Sequence, residues 1–91
     1  MLFKVSATSR VNQLAGAIVW AMRQEGQAEL QPIGASAVNQ ALKAVAVAGN
    51  LMKAQDVSLV CTPSFVKHHL DGGSVTGLTL RVGTVPLEAA L

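Results

Sequence analysis

The hydrophobic pattern of this 91-residue chain switches between two periods, and this alternation limits the available folds more than any other feature. Residues 2–7 (LFKVSA) alternate apolar and polar side chains, as a strand with one buried face does. Residues 11–22 then place apolar side chains three and four positions apart, which is the spacing of an amphipathic helix. The chain is therefore predicted to begin with a strand and a helix that is capped by Thr8 or Ser9 and ends at Gly26.

The same two patterns recur along the rest of the chain. A second strand is predicted over residues 28–33, and a second helix begins near Ser36. A third strand is predicted over residues 57–62, where Pro63 interrupts the hydrogen-bond ladder. A turn at Asp71-Gly72-Gly73 leads into a last strand over residues 75–82. The buried face of the second helix is predicted to consist of Val38, Leu42, Val45, Gly49 and Met52.

The order β-α-β-α-β-β defines the predicted fold class. We expect an α/β two-layer sandwich, with two helices on one face of a four-stranded mixed sheet, because right-handed crossovers put both helices on the same side. The domain is predicted to span residues 1–83, followed by a flexible C-terminal tail over residues 84–91. The other sheet face is predicted to be polar and to carry Lys4, Ser6, Glu29, Gln31, Ser58, Thr79 and Arg81.

Composition narrows the environment and the class of partner. Hydrophobic residues make up 51% of the chain and charged residues 13%, which is too apolar for a disordered protein. The longest apolar run, residues 15–22, is far shorter than the roughly 20 residues that a spanning helix needs. No leader pattern opens the chain and a single cysteine fits a reducing compartment, so we expect a cytoplasmic protein without membrane contact. The net charge of +2 permits a polyanionic partner without requiring one.

Both predicted helices carry apolar residues outside their buried faces. Scattered surface residues of this kind are common in monomers. A contiguous patch would instead indicate self-association. Because both helices show the excess, we favour a homodimer or tetramer over a monomer. The predicted oligomer interface consists of Ala17, Trp20, Ala44, Val47 and Leu51.

The chain lacks a residue pattern typical of catalysis or cofactor binding. His68, His69 and Asp71 could suggest a metal site, but adjacent strand residues point to opposite faces and both imidazoles cannot bind one ion. Cys61 alternates with Val60 in a strand pattern and is predicted to be a core residue. A carboxylate pair, a phosphate-binding loop motif and a nucleophile elbow are all missing from the sequence. We therefore expect a protein that is not an enzyme and holds neither a metal nor a cofactor.

Five segments resemble the stage V sporulation protein S family, and the resemblance runs from about Lys4 to Val82. They are KVSATS (4–9), LAGAI (14–18), IGASAVNQALKAVAVA (33–48), LVCTPSF (59–65) and LDG (70–72). This family is related in fold to Alba, a small dimeric nucleic-acid-binding protein with the same element order. The resemblance implies an Alba-like fold and a cytoplasmic bacterial regulator that binds nucleic acid and is tied to sporulation.

The resemblance also implies which regions approach nucleic acid. They are the loop after the first strand, the entrance to the second helix and the hairpin with Lys67, His68 and His69. The implied nucleic-acid-binding residues are Ser9, Arg10, Asn12, Gly34, Ser36, Asn39 and Lys43. From the residues alone, the start of the second helix could bind an anion or could be an ordinary cap, and Asn39 and Lys43 could be a solvated flank.

The hairpin has fewer charges than is usual in the family, with Gly73, Ser74 and Val75 after Asp-Gly. Fewer cations mean fewer phosphate contacts, so we predict weak binding of DNA or RNA without strong sequence preference. The alternative is a homo-oligomeric protein-interaction or assembly module that has lost most of its affinity for nucleic acid.

Overall fold

The computed structural model describes residues 1–90 and contains two α-helices and four strands. No helix in this range is both long and apolar enough to cross a membrane. The elements are β1 (Leu2–Val5), α1 (Val11–Glu25), β2 (Ala28–Pro32), α2 (Ala35–Leu51), β3 (Val57–Leu70) and β4 (Gly73–Pro86), with short 3₁₀ helices at Lys53–Gln55 and Leu87–Ala90.

The four strands form one mixed sheet in the order β1-β2-β4-β3. β1 and β2 are parallel, whereas β4 runs antiparallel to both β2 and β3. β3 is therefore parallel to β1 and β2. Each of α1 and α2 connects parallel strands, and the two helices pack against each other and against the sheet. The predicted two-layer α/β sandwich and its β-α-β-α-β-β order are confirmed.

The last two strands are much longer than the sequence predicted. β3 and β4 have 14 residues each and pair along their whole length, from Val57 with Pro86 to Leu70 with Gly73. The prediction that β3 ends at Pro63 was wrong. Because β3 is an edge strand, a residue without an N–H group is tolerated there if its nitrogen side faces away from the neighbouring strand. The strand continues through Pro63, which lies opposite Leu80.

Residues 84–86, which the sequence placed in the tail, pair with residues 57–59 as part of β4. After the strand, the Leu87 N–H donates a hydrogen bond to the Asp56 carbonyl oxygen over 3.0 Å. The end of β4 is thus tied to the turn that precedes β3.

The core lies between the helices and the sheet. Ile18, Leu30, Val5 and Val82 are its largest fully buried side chains. On α1 the predicted face is largely correct, since Ala15, Ile18 and Met22 are buried and Val11 and Leu14 pack against the core.

The buried face of α2 differs from the prediction. Val45 and Met52 are buried as predicted, but Leu42 is 48% exposed. The residues with no exposure are instead the alanines Ala37, Ala41, Ala44 and Ala48. The reason is that α2 packs against both α1 and the sheet. The side of α2 that faces them therefore consists of small side chains, which permit close approach.

Both helix entrances differ in detail from the prediction. The N-cap of α1 is Arg10, without a side-chain cap, so the prediction of a Thr8 or Ser9 cap was wrong. α2 begins at Ala35 after Gly34, whose φ of 90° favours glycine. Gly26 ends α1 with φ of 76°, and its N–H donates to the Met22 carbonyl oxygen, as predicted for a glycine stop.

The second sheet face is polar only in part, because Leu2, Val60 and Val75 share it with the predicted polar residues. Lys4 and Arg81 are exposed, and Glu29 and Gln31 are half-buried. Thr79 is buried, and its hydroxyl donates a 2.8 Å hydrogen bond to the Glu29 carboxylate.

Candidate nucleic-acid interface

The strand directions bring three segments to the same end of the molecule. β1, β2 and β3 are parallel, and each helix must run back against the strand it follows. The β1–α1 loop, the β2–α2 loop and the far half of the β3–β4 hairpin therefore lie together. β2 pairs with β4 only at residues 80–82, so residues 64–78 form a two-stranded extension, here named the hairpin arm. We call this end of the molecule the arm end; the arm contributes to an elongated shape of 47 × 23 × 23 Å.

The β1–α1 loop is closed by its own hydroxyl groups. The Ser6 N–H donates to Ser9 Oγ over 2.9 Å, and the Ser9 N–H donates to the Ser6 carbonyl oxygen over 3.1 Å. The Gln40 amide on α2 donates to the Ser9 carbonyl oxygen over 2.8 Å. Ser9 thus shapes the loop and does not cap the helix. Gln40 ties this loop to α2, a contact that the sequence analysis missed because it joins residues 31 positions apart.

The two helix entrances lie side by side with unused N–H groups. The Ile33 N–H donates to the Val5 carbonyl oxygen over 3.1 Å, which joins the second loop to β1. The first intrahelical bonds come from Leu14 and Val38, so the N–H groups of residues 11–13 and 35–37 have no intrahelical acceptor. The N-cap residues Arg10 and Gly34 cannot satisfy these groups, because a guanidinium has no acceptor and glycine has no side chain. The positive ends of both helix dipoles therefore point toward the arm end.

Three predicted site residues of α2 lie on one exposed face. Ser36, Asn39 and Lys43 are exposed and follow one another at spacings of three and four. Lys43 lies about 12 Å along the axis from the helix start, at 1.5 Å per residue. The face is therefore continuous with the arm end and extends away from it along α2. Arg10 and Asn12 are also exposed, at the entrance of α1.

Charge is distributed unevenly between the two ends of the molecule. The arm end carries Arg10 and Lys67, with Asp71 at the tip of the arm as its acid. The opposite end carries the acids Glu25, Asp56 and Glu88 together with the basic residues Arg23 and Lys53. Within residues 1–90, an ion pair joins the amino-terminal ammonium group to the Glu25 carboxylate over 2.7 Å. This pair also lies at the opposite end of the molecule. The arm-end cations are thus free to meet an external anion.

The arm presents different residues on its two faces. Phe65 and Lys67 pair with Leu78 and Thr76, so these four side chains share the face on the helix side of the sheet. Phe65 is 80% exposed, which is unusual for an aromatic side chain. The sequence analysis did not select Phe65, because it ended β3 three residues earlier.

The opposite face of the arm carries His68, which packs over Gly77. A Cβ atom added at Gly77 would lie 3.0 Å from His68 Nε2, so the glycine leaves room for the imidazole ring. His69 pairs with Ser74 and lies on the other face, as the alternation predicted.

The proposed oligomer residues do not all lie on the surface. Trp20 and Leu51 are 54% and 55% exposed, and Ala17 and Val47 are half-buried. Ala44 has no exposure, so its assignment to a surface patch was wrong. Ala44 belongs to the core cluster, because the buried face of α2 is rotated about the helix axis relative to the predicted one.

Cys61 does not have the surroundings of a nucleophile. Burial raises the pKa of the Cys61 thiol, which lowers the thiolate fraction at neutral pH. Cys61 is half-buried and packs against the core, so the prediction of a core residue is correct only in part. His68 lies seven residues further along the same strand, about 23 Å away at 3.3 Å per residue. The two side chains cannot form a nucleophile–base pair.

The geometry thus defines a small two-layer α/β domain with a projecting hairpin and a basic, open end. Residues 1–85 match the family model of Stage V sporulation protein S (SpoVS). The match covers nearly the whole chain, and the protein belongs to this family of sporulation-related proteins.

Proposed function

We propose that this chain is a non-catalytic, cytoplasmic regulatory protein that binds the phosphate backbone of nucleic acid weakly and without strong sequence preference. The observation that carries the proposal is the convergence of both helix entrances and the hairpin arm at one end, where the cations have no acidic partner among the described residues. Helix N-termini and free cations are the groups that proteins use for phosphate contact.

The number of cations limits the affinity. Arg10, Lys43 and Lys67 are the basic residues on the helix side at or next to the arm end, whereas Lys4 lies on the other sheet face. Three phosphate contacts per protomer give a slope of about −3 for the logarithm of the binding constant against the logarithm of salt concentration. Backbone contacts position a protein without reading bases, so the binding has little sequence preference.

A salt series with labelled oligonucleotides tests this proposal. Arg10→Ala and Lys67→Ala should each weaken binding and flatten the salt slope by about one unit. Lys53→Ala is the matched control, because it removes the same charge at the opposite end of α2 and should leave the slope unchanged. Failure to bind any oligonucleotide at low salt, or an equal effect of Lys53→Ala, would contradict the proposal.

A second candidate function is supported by the exposed apolar residues of the helices. Trp20 and Leu51 leave more than half of their surface uncovered, although large apolar side chains usually find a partner. This favours a homo-oligomeric interaction or assembly module, with the interface on the outer side of α1 and α2. Self-association is also compatible with nucleic-acid binding, since the arm end lies beyond the helix entrances.

A further inference from the structure

A groove lies between the first turn of α2 and the base of the hairpin arm. Its volume is about 400 Å³, within the range of about 300–1,000 Å³ that is typical of small-ligand sites. Its lining is mostly apolar and comes from Pro32, Gly34, Ala35, Val38 and the β4 segment 76–78. The sequence analysis did not predict this groove, because one of its walls forms only where β3 and β4 extend beyond the sheet.

The strand register places Phe65 beside this groove. It lies opposite Leu78 in the β3–β4 register, and residues directly opposite each other in antiparallel strands share a face. Its ring therefore lies on the groove side of the arm, and 80% of its surface is exposed. An exposed flat ring next to an apolar cleft is suited to stacking against another planar group.

One cation lies beside the groove, and the residues that line the groove include no acid. Lys67 follows Phe65 on the same face of the arm, opposite Thr76. Across the groove, the first turn of α2 contains no acidic residue. A planar apolar group linked to an anion would match both the groove and its rim, and a nucleotide unit of a nucleic acid has this chemistry.

We propose that this groove receives an unpaired nucleobase stacked on Phe65, with the neighbouring phosphate next to Lys67 and the start of α2. The inference rests on the proposed nucleic-acid-binding function and specifies its target as single-stranded at the point of contact. The faces of bases in a duplex are covered by the stack, whereas those of a single strand are free to stack on an aromatic side chain.

The test compares single-stranded and duplex oligonucleotides of matched length and sequence. Phe65→Ala should weaken single-strand binding by about tenfold, within the range measured for base–aromatic stacking, and should leave duplex binding unchanged. Phe65→Trp should retain single-strand binding, because it keeps a stacking surface. Leu70→Ala is the matched control: it truncates an apolar side chain of the same strand that is 58% exposed and lies on the other face of the arm. Circular dichroism checks that each variant is folded.

A second readout detects stacking directly. In a chain that carries Trp20→Phe and Phe65→Trp, the single tryptophan lies at the groove. Binding of a single-stranded oligonucleotide should quench its fluorescence, whereas a blunt duplex should not.

The outcomes separate this inference from the function on which it rests. If Arg10→Ala and Lys67→Ala weaken binding but Phe65→Ala affects single strand and duplex equally or not at all, the stacking inference is wrong and the proposed function stands. If Phe65→Ala lowers the molecular mass in solution without changing oligonucleotide binding, the groove is covered by a second copy of the chain and the inference is also wrong. If no oligonucleotide binds, both proposals fail.

Discussion

Ala41 and Leu42 are neighbours on α2, yet the alanine is completely buried and the leucine is 48% exposed. Hydrophobicity by itself favours the opposite arrangement, since a leucine side chain gains more from burial than an alanine does. At this position, the space between α2, α1 and the sheet determines which side chain can be buried. A small residue that fits a close contact is buried, and its larger neighbour remains partly in water.

The difference leads to a prediction for two leucines. Leu30→Ala should reduce the free energy of unfolding by about 2–5 kcal/mol, because Leu30 has no exposure and its truncation leaves a cavity. Leu42→Ala should reduce it by about 1 kcal/mol or less, since solvent already surrounds half of the side chain. Urea unfolding followed by circular dichroism measures both. Equal losses would show that Leu42 is covered in solution.

At the scale of the elements, α2 is held by a row of alanines. Ala37, Ala41, Ala44 and Ala48 recur at spacings of four and three and have no exposure. Such a row lets neighbouring elements approach more closely than leucines or valines would allow. The sequence analysis predicted α2 as a helix but searched for its buried face among larger apolar residues. It therefore did not recognise this row of alanines as the buried face.

We expect the alanine row to be sensitive to added volume. Ala44→Leu should destabilise the domain by about 1–3 kcal/mol, because extra methylene groups in a closely packed layer force neighbouring atoms apart. Ala46→Leu makes the same change on the exposed side of the same helix and should alter stability by less than about 0.5 kcal/mol. Thermal unfolding of the two variants gives the comparison. A loss for Ala46→Leu as large as that for Ala44→Leu would rule out this view of α2.

The hairpin arm is an element of a different kind. Beyond the sheet, its strands pair only with each other, and two-stranded ribbons are only marginally stable in water. The His68 ring over Gly77 covers one part of one face. The other face leaves Phe65 without cover, which is consistent with a contact that forms on binding.

At the scale of the whole molecule, two surfaces are available for partners, and they lie in different places. The arm end combines cations with helix entrances and is the surface that we propose for nucleic acid. The outer side of the helices carries the exposed Trp20 and Leu51 and is the surface that we propose for a second copy of the chain. A dimer formed through the helices would place two arm ends on one particle, which doubles the number of phosphate contacts.

Light scattering at micromolar concentration tests self-association. The wild-type chain should give a multiple of 9.4 kDa, and Trp20→Glu should lower the mass because a charge in an apolar interface loses its hydration. Trp20 is a better position for this substitution than Val47. Because Val47 packs against the core, a charge there would also unfold the domain, and loss of the oligomer would not be separated from loss of the fold. Gln27→Glu adds the same charge outside the helices and serves as the control. A mass of 9.4 kDa for the wild type at every concentration would contradict the prediction.

The sequence by itself determined the order of elements and most of the α1 face, because periods of two and 3.6 residues are local properties that follow from backbone geometry. It also determined the hairpin turn and the polar positions Lys4 and Arg81 of the second sheet face. The positions of Ser36, Asn39 and Lys43 on one helix face follow from their spacing alone.

Only the tertiary structure decided the burial of Ala44 and the exposure of Leu42, because the orientation of α2 depends on what packs against it. It also decided the length of β3: pairing with β4 carries the strand through Pro63, at a sheet edge where the missing N–H group is tolerated. The groove beside Phe65 and the Gln40–Ser9 contact join residues that are far apart in the chain. Local patterns contain no information on such contacts, since they arise from the packing of one element against another.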